Sequence, residues 1–362
     1  MIKKTMNRLV LIGNGFDLNH NLKTHYSDFL NWYLRGCMEK FFANRIYEDC
    51  LLKLENLEQG FNMGVPYMDT LEQTIIAYKN LINNSRNSTL KLEFRSDFFK
   101  EVFDRALLNL KWVDFENHYF EYLKKYSKNI EYDSKHIKSF NDQFEYLKLK
   151  FEEYLKELKK NGIVQNPDKF LYLVNPFVKK EFTQTPKGID KNPDNVYVLN
   201  FNYTNTFKIY ADKLKEIIPT QINHIHGELE NNYNPIIFGF GDEHDKDYLS
   251  FEDKKINELF KHIKSFQYLK TSNYQDLIRF INSDDFQVCI LGHSCGLSDR
   301  TMLKEIFEHD KCKSIKIYYY KWGNESHEND YIEKTYEISR HFTDKGMMRK
   351  KVVSFDKSEP LT

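Results

Sequence analysis

The chain has 362 residues, with 53 Lys and Arg against 53 Asp and Glu, so its formal net charge at pH 7 is zero. This balance favours neither nucleic acid nor an anionic membrane as a partner, and neither is expected. Aromatic residues make up 15% of the chain, which argues against disorder and indicates aromatic-rich packing in one or two domains.

The apolar runs and the cysteines indicate the cellular compartment of the protein. No apolar run approaches the roughly 20 residues that span a bilayer. The apolar segment Leu9–Ile12 is too short for the core of a secretion signal. The five cysteines are odd in number and lack the paired spacing of a zinc site. We therefore expect a cytoplasmic protein with reduced cysteines and no metal.

Short apolar runs predict the strands of one sheet. The first run is wholly apolar and ends at glycine, which is typical of a strand buried on both faces of a parallel sheet. Similar runs recur in the last half of the chain. The predicted strands are Leu9–Ile12, Val196–Leu199, Ile222–Ile225, Ile236–Phe238, Phe286–Leu291, Ile315–Tyr320 and Val352–Phe355.

The long stretch between the first two predicted strands has mostly helical patterns. One apolar stripe with spacings of three and four predicts an amphipathic helix, formed by Phe140, Phe144, Leu147, Phe151, Tyr154, Leu155 and Leu158. A second pattern over 103–110 runs into 112–116. We therefore predict an α/β fold in which 1–24 and 195–362 form a mainly parallel sheet, and 25–194 are an inserted helical subdomain with a return linker.

Four polar clusters follow predicted strands, at Gly13–Asp17, Asn200–Thr204, His224–Gly227 and Gly292–Asp299. In open parallel sheets, ligands bind at the carboxyl ends of the strands. Gly13 and Gly15 allow a sharp turn, and a helix starting just beyond them would direct its free N–H groups at a phosphate. An ordinary turn between a strand and a helix has the same pattern. Asp17 is also suited to capping that helix.

The histidine pair admits three interpretations. In an extended segment, His224 and His226 project from the same face. They would bind a metal only with further ligands such as Asp242, His244 and Asp245. His226, beside Gly227, suits a general base because histidine titrates near neutral pH. Taken alone, the motif is better explained by a hydrogen-bonded histidine at a strand end.

The two remaining clusters contain an amide and a hydroxyl. Asn202 offers a donor and an acceptor for a ribose hydroxyl or a water molecule, although the Asn200–Thr204 cluster also suits the cap of a helix starting near Thr206. Gly292–Ser294 is a second glycine turn suited to sugar or phosphate. Ser298 or Asp299 is expected to cap the next helix.

The same segment also fits a serine hydrolase. Gly-His-Ser-Cys-Gly at 292–296 matches the nucleophile elbow Gly-x-Ser-x-Gly, with Ser294 as the nucleophile. The base and acid of such a triad would follow it in the chain, from His309, His327 or His341 and from Asp310 or Asp330. This interpretation leaves the N-terminal glycines, Asn202 and His226 without a role.

Taken together and in this order, the motifs resemble the AbiH family of bacterial abortive-infection proteins, over residues 8 to about 310. The resemblance rests on Gly13-Asn-Gly-Phe-Asp17, Thr24-x-Tyr26-x-Asp28-Phe29, Trp112-x-Asp114-x-Glu116, Phe201-Asn-Tyr-Thr204, His224-Ile-His-Gly227 and Gly292-His-Ser294 with Asp299. It implies a role in defence against phage.

The order of the motifs is also similar, more distantly, to that of sirtuin-like domains, which bind NAD on a Rossmann-like sheet. Some sirtuin-like defence proteins cleave NAD with an asparagine and a histidine, which map to Asn202 and His226. The chain departs from the pattern in two places. Asn14 replaces the small residue between the glycines, and Thr204 stands where an aspartate is usual.

This second resemblance implies a site at which NAD, or a related nucleotide, is hydrolysed at the nicotinamide–ribose bond, with Asn202 and His226 as catalytic residues. The implied binding residues are Gly13, Asn14, Gly15, Phe16, Asp17, Tyr203, Thr204, Gly227, Gly292, His293, Ser294 and Asp299. A sensor that binds NAD without cleaving it is the alternative that Thr204 favours. A phage-derived trigger or a homo-oligomeric resting state is expected, because an enzyme that depletes NAD must be restrained.

Overall fold

The computed structural model describes residues 5–56, 66–84, 90–108, 114–128, 134–159, 166–184, 186, 191–241, 243–325 and 327–361. The chain divides into two compact units. The first comprises Met1–Leu22, Lys159–Tyr248 and Ile263–Thr362, and the second comprises Lys23–Leu158 and Leu249–His262. The domain boundaries at 24/25 and 194/195 stay a prediction. Leu110, Trp112 and Asp242 lie outside the described residues.

The first half of the chain contains β1 (Met6–Ile12), α1 (Asn14–Asn19), α2 (Tyr26–Asn44), β2 (Ile46–Glu48), β3 (Leu52–Asn56), α3 (Leu71–Asn84), β4 (Leu90–Phe94), α4 (Asp97–Leu108), α5 (Phe115–Lys128) and α6 (Ser134–Lys159).

The second half contains β5 (Val196–Asn200), α7 (Lys208–Lys215), β6 (Thr220–His224), α8 (Tyr248–Lys254), α9 (Lys264–Gln267), α10 (Asn273–Ser283), β7 (Asp285–Leu291), α11 (Arg300–Glu308), β8 (Cys312–Tyr319), α12 (Tyr331–His341), α13 (Lys345–Lys351) and β9 (Glu359–Pro360). Short 3₁₀ helices lie at Pro167–Val174, Lys179–Glu181, Asn257–Phe260, Tyr268–Lys270, Leu297–Asp299 and Phe355–Lys357. No helix in the described ranges is both long enough and apolar enough to cross a membrane.

The first unit is built on a six-stranded sheet in the order β6-β5-β1-β7-β8-β9. All five pairings are parallel, so the prediction of an α/β fold with a parallel sheet is confirmed. Counted along the chain, the strand order is 3-2-1-4-5-6. The order therefore reverses between β1 and β7, and the crevice at the carboxyl ends of these two strands is the usual place for a ligand.

The central strand is covered on both faces. Leu9 and Leu11 pack in one apolar cluster with residues of β7, α10, α11 and α12. Val10 and Ile12 pack on the opposite face with residues of α7 and of the 3₁₀ segment Pro167–Val174. This two-sided burial explains why the first strand is continuously apolar.

Two predicted strands are absent, and two others end one residue early, one of them β8, which ends at Tyr319. Residues 236–238 form an irregular segment behind Pro235, in which the Ile237 N–H donates to the His226 carbonyl. At 352–355, only Val352 forms a bridge to the sheet. The edge strand is instead β9. Ile225 lies beyond the end of β6.

The second unit is mainly helical and contains a sheet that the sequence patterns did not predict. The predicted stripe lies on α6, where Phe140, Phe144 and Phe151 are buried. Three short strands form an antiparallel sheet in the order β2-β3-β4. These strands are rich in Lys and Glu, so they carry no apolar run that would reveal them.

Candidate functional site at the carboxyl edge of the parallel sheet

The turns that follow β1 and β7 are packed against each other. The Gly15 N–H donates to the Gly292 carbonyl at 2.8 Å, and the Gly13 N–H donates to the Leu291 carbonyl at 3.3 Å. Gly292 has a φ of +72°, and a Cβ there would overlap the backbone of Gly15 and Phe16. The glycines are therefore required by contact between two turns, and two N–H groups of the predicted phosphate cradle already have partners.

The first turn of α1 places a carboxyl group in the interior. Asp17 is buried within this helix, so it does not cap it. Thr204 donates from Oγ1 to Asp17 Oδ2 at 2.5 Å, whereas Oδ1 has no hydrogen-bond partner among the described residues. Burial raises the pKa of Asp17 to about 6, although the hydrogen bond from Thr204 acts in the opposite direction. A buried, unpartnered carboxyl oxygen is suited to a ligand donor such as a hydroxyl.

The turn after β5 connects the other elements of the site. Asn200 Oδ1 accepts from the Asn202 N–H at 3.0 Å, and the Asn200 amide donates to the Thr204 carbonyl at 3.3 Å. The Asn202 amide in turn donates to the Gly13 carbonyl at 3.1 Å. Asn202 therefore holds the β5 turn against the β1 turn. The predicted helix cap is replaced by these contacts, since α7 begins at Lys208 without a side-chain cap.

A buried histidine, carboxylate and lysine form the centre of the site. His226 Nε2 lies 3.1 Å from Asp299 Oδ1, and Lys264 Nζ lies 2.9 Å from the same oxygen. Burial opposes ionisation of Asp299, but Lys264 and His226 hold its pKa well below its ordinary value. Asp299 lies at the N-cap position of α11, as predicted, but its side chain makes no capping hydrogen bond and faces the histidine and the lysine instead.

The tautomer of His226 follows from these contacts. An ionised carboxylate only accepts hydrogen bonds, so Nε2 carries the proton. The hydroxyl of Tyr268 lies 3.1 Å from the same nitrogen. No hydrogen bond to Nδ1 is formed within the described part of the chain, so its lone pair can accept a proton. This is how a carboxylate orients a histidine base.

His293 faces the same carboxylate as a neutral side chain. Its Nδ1 accepts from the Cys295 N–H at 2.9 Å, and its Nε2 lies 3.7 Å from Asp299 Oδ2. Burial lowers the pKa of His293 to about 3, although Asp299 acts in the opposite direction. The ring of Phe201 contacts both histidines, with its centroid 5.1 Å from that of His226 and 4.1 Å from that of His293.

The two histidines of the His-Ile-His motif do not share a face, because β6 ends at His224 and a turn follows. His224 Nδ1 contacts the Asn200 amide at 3.3 Å instead of joining His226. Burial lowers the pKa of His224. Gly227 has a φ of +86° and packs against the Pro235 carbonyl, so it does not open space for a ligand. No group of three potential metal ligands lies close together among the described side chains.

Ser294 is exposed and is not bonded to any of the candidate triad partners. It makes no hydrogen bond with His309, His327 or His341 within the described ranges, and His341 Nε2 contacts the Cys295 carbonyl at 2.7 Å. The positive φ angles fall on Gly292 and Cys295. The local backbone therefore lacks the strained serine of a nucleophile elbow.

The remaining predicted residues lie around the same edge with different roles. Phe16 belongs to the core and packs on Phe170 and Phe207. The Tyr203 hydroxyl donates to the Ile237 carbonyl at 3.0 Å. Asn14 is exposed, so its side chain leaves the buried part of the turn clear.

Sequence reasoning missed Lys264 and Tyr268. Both lie on short helical segments after Phe240, outside any predicted strand end. Lys264 is fully buried, and its N–H donates to the Phe240 carbonyl at 2.9 Å. A lone lysine in a four-residue helix gives no periodic pattern, so only the fold reveals its partner.

Comparison with known proteins adds one finding. The family model described as "Bacteriophage abortive infection AbiH" matches residues 9–321. Neither the curated proteins nor the solved structures gave a match. The matched range contains every strand-end cluster described above. The chain belongs to the AbiH family of bacteriophage abortive infection proteins.

Proposed function

We propose that this chain acts in bacteriophage abortive infection by hydrolysing NAD at the nicotinamide–ribose bond. The observation that carries the proposal is the buried contact of 3.1 Å between His226 and Asp299 at the carboxyl edge of the sheet. A carboxylate that fixes the protonated nitrogen of a histidine leaves the other nitrogen to act as a base.

The strand order supports a nucleotide as the ligand. The order 3-2-1-4-5-6 is that of doubly wound Rossmann-like folds, which bind dinucleotides where the order reverses. Here the reversal lies between β1 and β7, whose turns carry Asp17 and His293. We therefore propose a Rossmann-like, sirtuin-like site at this edge, with NAD or a related nucleotide as its ligand.

The residues of the first turn fit a ribose of NAD better than its pyrophosphate. The unpartnered Oδ1 of Asp17 suits a ribose hydroxyl, and Ser294 is exposed beside the second turn. The N–H groups of Gly13, Gly15 and Phe16 instead donate to backbone carbonyls. The proposal therefore places the ribose at Asp17 and assigns no phosphate to this first turn.

In the proposed reaction, a water oxygen bonds to the ribose carbon while the carbon–nitrogen bond breaks. Nicotinamide leaves with that electron pair as a neutral molecule, so no acid is needed for its departure. The proton of the water goes to Nδ1 of His226, and Asp299 stabilises the imidazolium that results. Lys264 keeps Asp299 ionised, and Asn202 fixes the β5 turn that carries Phe201.

An enzyme that depletes NAD requires restraint in a healthy cell. We propose that a homo-oligomeric resting state or a phage-derived trigger provides it. Both would act on access to the carboxyl edge of the sheet. There, movement of one of the strand-end turns would change whether a water molecule can contact His226.

The test incubates the purified chain with NAD and measures free nicotinamide. We expect release by the wild type and a loss of at least about 100-fold in His226→Gln, the usual scale of general-base catalysis. Asn202→Ala should also slow release. His327→Gln is the matched control, because that histidine is exposed. Equal rates in the wild type and His226→Gln would contradict the assignment.

Two other outcomes identify the alternatives. NAD binding without nicotinamide release would make the chain a sensor. Ser294→Ala should still release nicotinamide, since its hydroxyl has no histidine partner among the described residues. Loss of activity in Ser294→Ala, together with labelling of the wild type by a serine-reactive probe, would instead favour a serine hydrolase.

A further inference from the structure

Two aromatic side chains are exposed just beyond the end of β8. Tyr320 is 53% exposed and Trp322 is 55% exposed, and their ring centroids lie 6.3 Å apart. Large aromatic side chains gain stability by burial, so an adjacent exposed pair is a candidate contact surface for a ligand or a partner.

The backbone that carries this pair is fixed. The Trp322 N–H donates to the Glu328 carbonyl at 3.1 Å, and the Asp330 N–H donates to the Tyr320 carbonyl at 3.0 Å. Lys321 also forms an antiparallel bridge with Asn329. Residues two apart on an extended segment share a face. The two rings therefore form one preorganised surface.

The surface lies at the same edge as the proposed site. Leu291 of β7 is in register with Tyr318 of β8. Two residues beyond this pair, Tyr320 leaves β8 at the level where His293 follows β7. Neighbouring parallel strands lie about 4.8 Å apart. The neighbouring helix α12 is tied to the same turn, since Lys334 Nζ donates to the His293 carbonyl at 3.0 Å.

We infer that Tyr320 and Trp322 form a stacking platform for a nucleotide base, and that the adenine of NAD lies on it. This inference rests on the proposed NAD site. A planar base matches a rigid aromatic pair, and each base offers a face for stacking. A stable protein interface needs about 800 Å² from each partner, which is more than two half-exposed rings provide.

The test compares NAD with nicotinamide mononucleotide, which has the same reacting end but no adenine. For the purified full chain, we expect W322A and the double variant Y320A/W322A to raise the Kd for NAD about tenfold. The Kd for nicotinamide mononucleotide should stay unchanged. W322F should bind NAD like the wild type. Y336A is the matched control, because Tyr336 is 60% exposed on α12 and lies outside the platform.

Three results would overturn the platform. They are an unchanged Kd for NAD in the double variant, an equal change in Kd for both ligands, and an oligomer, seen by sedimentation, that dissociates in Y320A/W322A.

The platform and the proposed reaction can fail separately. A wild type that releases no nicotinamide but binds AMP about tenfold more tightly than W322A would remove the reaction and keep the platform. If W322A released nicotinamide with an unchanged KM for NAD, the reaction would be kept and the platform would be removed.

Discussion

Thr204 donates a hydrogen bond to the carboxyl group of Asp17, although 187 residues separate the two in the chain. In the sirtuin-like site that we propose, Thr204 stands where an aspartate is expected. The fold brings the carboxyl group of Asp17 into contact with that threonine. The departure from the pattern therefore does not leave this part of the site without a carboxyl group.

Asp17→Asn should stabilise the protein at neutral pH. The folded pKa of about 6 exceeds the ordinary 3.8, so the native state holds the proton more tightly than the unfolded state. The contribution of Asp17 to stability is therefore full below pH 3.8 and decreases as the pH rises towards 6. A pKa difference of about two corresponds to about 3 kcal/mol in the free energy of unfolding. Urea unfolding at pH 4 and pH 7.5 should show a gain for the variant of about that size only at pH 7.5.

The difference between variant and wild type isolates Asp17, since all other groups titrate in both proteins. A difference in unfolding free energy that stays constant from pH 4 to pH 7.5 would contradict the raised pKa. The same variant should weaken NAD binding, because an amide oxygen replaces only part of a carboxylate acceptor. Increased stability with decreased binding is typical of a functional residue.

Lys264→Met should destabilise the protein by about 3–5 kcal/mol, because it leaves the Asp299 carboxylate buried without its counter-ion. Adding Asp299→Asn should restore part of the loss, since the second change removes the unpaired charge. Lys304→Met is the control: its partner Glu308 lies nearer the surface, so less than about 1 kcal/mol is expected. Denaturant unfolding measures all three. If the double variant were no more stable than Lys264→Met, the loss of stability would result from packing rather than from the unpaired charge.

His293→Asn should make the protein less sensitive to acid. The folded pKa of about 3 lies below the ordinary 6.5, so the neutral histidine contributes stability above pH 6.5 that is lost as the pH falls towards 3. The asparagine oxygen can still accept from the Cys295 N–H. Between pH 7.5 and 4.5, we expect the wild type to lose about 3 kcal/mol more than the variant in urea unfolding. Equal losses would show that His293 is protonated in the folded protein.

The parts of the fold that follow from periodicity were predicted, and the parts that depend on long-range contacts were not. Leu9–Ile12 and the α6 stripe each place apolar residues at the spacing that their element requires. The predicted strand at 236–238 failed because an apolar run after Pro235 is buried by loop packing rather than by a ladder of hydrogen bonds. Strands such as β3 and β4 present Lys and Glu to solvent, and only their cross-strand pairing defines them.

The candidate site shows the same division. Strand ends are visible in the sequence, so the clusters containing Asp17, Asn202, His226 and His293 could be placed at one edge. The role of Asp299 could not be predicted, because an aspartate just before a helix is normally interpreted as a helix cap. Only a buried cation facing it would indicate another role. Lys264 supplies that cation from a segment without periodicity.

Gly292→Ala and Gly36→Ala should change stability in opposite directions. Gly292 has a φ of +72°, and an added Cβ would overlap the backbone of Phe16, so the alanine should cost at least about 2 kcal/mol. Gly36 lies inside α2, and a Cβ there would meet no other atom within 4 Å among the described residues. Alanine at Gly36 should therefore add about 1 kcal/mol through helix propensity. Thermal and urea unfolding of the two variants measure both effects. A tolerated Gly292→Ala would mean that the turns after β1 and β7 can separate, which would free the N–H groups of Gly13 and Gly15 from their carbonyl partners.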